Sequence, residues 1–137
     1  MCIRDRRYLV PSGPHDRPLP DEFVELIARR FAALGDPMRV RLLDALRGRG
    51  EASVGELADE LDAGYANVAK HLTLLHQRGI LGRRKQGTKA VYRISDPSVL
   101  ELCEVVCGSL ASQLRELEAL VSSAPEHFAQ STQEAPA

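Results

Sequence analysis

Tryptophan is absent from this 137-residue chain, and aromatic residues make up only 4% of it. No apolar run approaches the ~18–20 residues that a membrane span requires, so a soluble protein with no membrane partner is expected. The short apolar stretches near the start are broken by Arg and Pro, unlike a secretory leader. Three cysteines, unevenly placed, make no disulfide framework, and free thiols fit a reducing cytoplasm. Phosphate loops, nucleophile elbows and Cys-x-x-Cys pairs are missing, and His15, His71, His76 and His127 form no ligand pattern. No enzyme is expected.

A further absence is local. From Gly64 to Ser95 there is no Asp or Glu, yet seven cations occur: Lys70, Arg78, Arg83, Arg84, Lys85, Lys89 and Arg93. From Asp96 onward one cation, Arg115, stands against seven acids. The net charge of −1 hides this asymmetry, which gives the molecule one basic surface suited to phosphate.

What is present alternates between helix and turn signals. Residues 1–6 (Met-Cys-Ile-Arg-Asp-Arg) match a translated sequencing adapter and are set aside as a scar, Cys2 with them. Residues 1–20, with Pro11, Pro14, Pro18 and Pro20, read as a disordered arm, and 123–137 as a disordered tail. The segment 21–122 between them reads as one domain. Phe23, Leu26, Ile27, Phe31 and Leu34 recur at helical spacing behind Asp21 as a cap. Asp36-Pro37 opens a second helix carrying Met38, Val40, Leu42, Leu43 and Leu46. Ser53-Val-Gly-Glu56 is a capping box before Val54, Leu57, Ala58 and Leu61. Asp62-Ala-Gly64 makes a turn into a fourth helix that buries Val68, Leu72 and Leu75 and stops at Gly79.

Residues 80–85 and 89–94 then form a β-hairpin, with Ala90, Tyr92 and Ile94 on one face and Lys89, Val91 and Arg93 on the other. Asp96-Pro97 caps a last helix to about Val121. The fold expected is mainly α with a small β-hairpin: a winged helix-turn-helix dimerising through its terminal helices. Two helices about a tight Gly turn, the second polar on its outer side, are a DNA-reading pattern. The outward set is Ala66, Ala69, Lys70, Thr73 and Gln77, flanked by Tyr65 and Asn67. Arg83, Arg84, Lys85 and Lys89 on the hairpin would lie along flanking phosphates, supplying affinity without sequence information.

Leu34-Gly-Asp-Pro-Met-Arg39, Asn67-Val-Ala-Lys-His-Leu72, Leu75-His-Gln-Arg-Gly-Ile-Leu81 and Gly87…Val91-Tyr-Arg93 resemble the ArsR/SmtB family of bacterial repressors over roughly 22–117. The resemblance implies a homodimer that binds an imperfect palindrome of double-stranded DNA and is released by an inducer. The outward positions of the reading helix in that family often hold Gln, Ser, Ser and a basic residue or His. Here they hold Tyr65, Ala66, Ala69 and Lys70, so the usual amide reader is gone. Packing against the turn is the other reading of Tyr65, and His71 is read as structural. The family's thiolate site falls on Ser53, Gly55 and Ala58, which cannot bind metal as thiolates do. Its last-helix site falls on Asp96, Ser98, Ser109 and Ser112, one ligand of the roughly four that zinc takes.

Cys103 and Cys107 remain, one helical turn apart in the stripe Leu100, Cys103, Cys107, Leu110, Leu114, Leu117, Val121. That three–four spacing is a coiled-coil-like seam. Two readings stand for the pair. Cys is a small hydrophobe that fills such seams, and a dithiol also senses arsenite, soft metals, persulfides or oxidants. A winged helix kept for protein–protein contact is the remaining alternative class, and the acid-free reading helix and wing argue against it.

Overall fold

The computed structural model describes residues 18–123. Apart from Pro18–Pro20 and Ser123, the expected arm and tail lie outside the described residues. The elements run α1 (Asp21–Leu34), α2 (Pro37–Arg49), β1 (Glu51–Ser53), α3 (Val54–Glu60), α4 (Tyr65–Gln77), β2 (Leu81–Gln86), β3 (Lys89–Ile94) and α5 (Ser98–Ser122).

Local chemistry sets most of these boundaries. The Asp36 carboxylate accepts from the Met38 and Arg39 amides at 2.8 and 3.2 Å, with Pro37 pre-set for the first turn of α2. In α3 the Glu56 amide donates to Ser53 Oγ and the Ser53 amide to Glu56 Oε1, both at 3.2 Å. This reciprocal box satisfies two otherwise orphaned donors. At the end of α4, Gly79 takes φ +75° while the Ile80 amide reaches back to the Leu75 carbonyl. That left-handed Schellman closure suits glycine, and Leu75 and Ile80 are both fully buried beside it. The start of α1 differs from expectation: Asp21 is not its cap. The Pro20 carbonyl receives the Phe23 and Val24 amides, and Asp21 lies inside the first turn, facing the positive end of the helix dipole.

The hairpin is part of a three-stranded antiparallel sheet in the order β1-β3-β2. Three-residue β1 carries no visible alternation and runs straight into the α3 capping box, so its strand character is hidden in the sequence. Its register is Glu51 with Arg93, Ala52 with Tyr92 and Ser53 with Val91, and the alternation of β3 between its two faces is as expected. Val91 shares the face of Lys89 and Arg93 yet is 5% exposed, because β1 flanks it and an ion pair spans the same face.

Leu42, Leu43 and Leu46 of α2, Leu57 of α3, Val68, Leu72 and Leu75 of α4, and Ile80 and Leu81 form the centre of the core. The terminal helices barely join it: α1 buries only Ala33 and α5 only Val99. Phe23, Leu26 and Phe31 of α1 keep the expected spacing but stay exposed, as do Leu110, Leu114 and Leu117 of α5. Helix α4 thus sits on the buried centre, flanked by two apolar helix faces left exposed among the described residues. Among the described residues, no helix is long and apolar enough to cross a membrane.

Candidate nucleic-acid interface

α3, the turn and α4 make the helix-turn-helix. Asp62 takes φ +49° in the turn, a conformation that Asp tolerates better than most residues. Val68, Leu72 and Leu75 anchor α4 from beneath, which turns Tyr65, Ala66, Asn67, Lys70 and Gln77 to solvent. Tyr65 is 63% exposed and does not pack against the turn. Ala69 and Thr73 are half-buried, and the Thr73 hydroxyl donates to the Ala69 carbonyl at 2.8 Å. Thr73 is thereby turned onto its own helix, which leaves Asn67 and Lys70 as the exposed polar side chains in the first turns of α4.

Two histidines hold this helix in place. His71 Nδ1 lies 3.3 Å from Arg39 Nη1, and its Nε2 lies 4.0 Å from Asp36 Oδ1. Arg39 also donates to the Ala33 and Ala32 carbonyls at 2.6 and 3.2 Å, so His71 ties α4 to the end of α1. His76 Nδ1 donates to the Leu81 carbonyl at 2.9 Å and meets the Tyr92 ring edge-on. It joins the end of α4 to the start of the wing. Nothing in the local sequence pattern marks His76 for this role, since both partners come from the sheet.

In the wing, residues alternate between faces by register. Arg83 shares the face of Ala52 and Tyr92, and Arg84 shares that of Ser53 and Val91. Arg83, Arg84, Lys85, Thr88, Lys89 and Ala90 line an open recess at the tip. The sequence reading groups the four cations as equivalent phosphate anchors, but the structure separates them. Arg84 Nη2 and Nε donate to Glu51 Oε1 and Oε2 at 2.6 and 2.9 Å. These hydrogen bonds hold the Glu51 carboxyl below the usual carboxylate range. Arg83, Lys85 and Lys89 have no ion-pair partner among the described residues.

On α5, Cys103 is half-buried and Cys107 exposed, and both are free thiols. Burial pushes the Cys103 thiol up, only partly opposed by the Arg47 charge. Asp96, the one metal ligand the family pattern leaves here, is already committed: Oδ2 takes Arg30 at 2.7 Å and Oδ1 takes the Ser98 amide at 3.1 Å. Ser53 is likewise spent on capping α3. Neither family-type metal site fits these residues.

A comparison with known proteins agrees with this geometry. The family described as HVO_A0114 matches residues 36–98. The HTH-type transcriptional regulator KmtR of Mycobacterium tuberculosis is 37% identical over 91 residues, covering 66% of this chain and 68% of that protein. The homodimeric winged helix-turn-helix DNA-binding domain Mb0332 of Mycobacterium bovis, described as a possible ArsR-family transcriptional regulator, superposes with a TM-score of 0.62 at 27% identity. That superposition covers 75% of this chain and 93% of the other. The chain belongs to the ArsR/SmtB family. The structure of the antimony-specific transcriptional repressor AntR also matches, with a TM-score of 0.65 and 30% identity over 78% of this chain and 96% of that one. The homologues in this family are transcriptional regulators and not enzymes. The fold is a winged helix-turn-helix, with α3 and α4 as its helix pair and β2–β3 as the wing.

Proposed function

We propose that this chain is a dimeric repressor that places α4 of each protomer in a major groove of an imperfect palindrome. The observation that carries the reading is the two-sided character of α4. Its inner row is completely buried, while Tyr65, Ala66, Asn67 and Lys70 stand free at its start, beside a wing rich in cations. Side chains in the first turns of such a helix reach base edges, and the wing cations meet the backbone. The uncovered apolar faces of α1 and α5 support the dimer. Selection from a random duplex pool is expected to return an inverted repeat with half-sites about 10 base pairs apart. A pool that shows no enrichment would remove the sequence-specific reading.

Lys70→Ala is expected to weaken binding and relax sequence preference, because the ammonium sits at the base-facing surface. Lys85→Ala is expected to weaken specific and scrambled duplexes alike, with a salt slope shallower by about one for each lost phosphate contact. Fluorescence anisotropy on both duplexes across a salt series separates the two. Identical profiles would contradict the division into reading and anchoring residues.

The inducer assigned in this reading is thiophilic and acts at Cys103 and Cys107. The pair lies one helical turn apart on the uncovered face of α5, where added charge or bulk would disturb the packing of two copies. Burial holds the Cys103 thiol up, so a ligand that binds it has to take the proton away. In condensation with a trihydroxide such as arsenite, each S–H proton leaves with a hydroxide as water, and no lasting free thiolate is required. A coupling of ~1–3 kcal/mol changes operator affinity about five- to a hundred-fold. Arsenite is expected to release the wild type from its operator and to leave Cys103→Ser/Cys107→Ser bound. Equal release of both proteins would move the inducer elsewhere.

A further inference from the structure

The reading helix and wing contain no acid between Gly64 and Ser95, yet one wing cation is paired with a carboxylate. That carboxylate comes from Glu51, thirty-three residues upstream, brought in by the three-residue strand β1. We infer that Glu51 is a built-in competitor for DNA phosphate, holding Arg84 across the outer face of the wing and thereby setting how strongly the wing grips DNA. The inference rests on the DNA-binding reading above and deepens it.

Geometry gives Glu51 this role. Arg84 Nε and Nη2 each take a separate carboxylate oxygen, the parallel fork that a guanidinium also offers to phosphate. While Glu51 occupies the fork, a phosphate has to displace it. Displacement is feasible because the pair is open to solvent, with side chains 44% and 39% exposed. Ion pairs that exposed contribute little to folding, so exchanging carboxylate for phosphate leaves the fold intact. Among the described residues, the cation that hydrogen-bonds to Glu51 is Arg84; Lys89 shares that face by register without pairing with Glu51, and Arg93 acts on Glu51 through its charge alone. Arg83 and Lys85, on either side of Arg84 in β2, point to the opposite face by the register of the sheet. Arg93, level with Glu51 across the strands, lays its guanidinium over Gly82 with Cζ 2.9 Å from where a Cβ would stand. Glu51 is thus a positioning residue, acting on DNA through Arg84.

Operator and scrambled duplexes titrated across a salt series with the wild type, Glu51→Gln, Arg84→Ala and the double variant test this. Glu51→Gln is expected to bind both duplexes severalfold more tightly, with a log–log salt slope steeper by about 0.9 for each phosphate that Arg84 then takes. In the Arg84→Ala background the same change is expected to have no effect. A gain that persists there would mean that Glu51 acts only through the long-range field, which overturns the inference. Glu51→Gln binding equal to or weaker than wild type would also overturn it. So would a joint loss of binding and melting temperature in Glu51→Gln and Glu51→Ala, which would make Glu51 a prop for β1. Wild type that binds neither duplex would overturn the DNA-binding reading itself, and the competitor with it.

Discussion

Leu114→Glu is expected to yield a folded monomer that no longer holds its operator. Leu114 lies in the middle of the α5 stripe and is 60% exposed within the protomer, between Leu110 at 53% and Leu117 at 57%. The protomer core stops at Val99, so a charge at 114 leaves α2, α3 and α4 untouched. In a dimer built on this stripe, two carboxylates would be desolvated near each other, which costs several kcal/mol per ion. A protein that binds a palindrome with two linked reading helices loses the second as an intramolecular event when the dimer splits. The affinity then falls by about 10²–10⁴-fold. Light scattering is expected to report a mass near the 15.1 kDa of one chain, with an unchanged circular dichroism spectrum. A Leu114→Glu protein that remains dimeric and binds DNA would take α5 out of the interface.

The second large effect concerns stability. Leu72 on α4 is completely buried and belongs to the same cluster as Leu42, Leu43, Leu57 and Leu75. Leu72→Ala removes buried methyl groups and leaves a cavity, at a cost of about 2–5 kcal/mol. That is a large share of the about 5–15 kcal/mol that holds a typical domain together. For a domain of this size the melting temperature is expected to fall by about 10 °C or more. Lys70, two residues earlier and on the outer side, gives the opposite pattern. Lys70→Ala is expected to change stability by no more than about 0.5 kcal/mol while weakening DNA binding. Denaturation and anisotropy on the two variants therefore read the two faces of one helix. If Leu72→Ala unfolded no more easily than Lys70→Ala, the inward row would be wrongly assigned.

Much of the helix-turn-helix is legible in the chain because its determinants are local. Asp36-Pro37, the Ser53/Glu56 box and Gly79 each act within a few residues, and the structure uses them as caps and stops. The inward row of α4 follows from the 100° step and the apolar choice at 68, 72 and 75. His76 is not legible in this way, because its hydrogen-bond acceptor is a carbonyl at the start of β2 and its ring partner is on β3.

The terminal helices mark another boundary. Phe23, Leu26 and Phe31, like Leu110, Leu114 and Leu117, have the spacing of a buried stripe, and periodicity does not say which surface will cover it. The chain by itself determined the helical elements, the inward row of α4 and the basic stretch, because periodicity, capping and charge count are properties of neighbouring residues. Tertiary structure alone decided which wing cation is held by an acid and which apolar stripes stay exposed among the described residues. The first depends on pairing β1 with a strand some forty residues away, and the second on how little of α1 and α5 a core this small can bury.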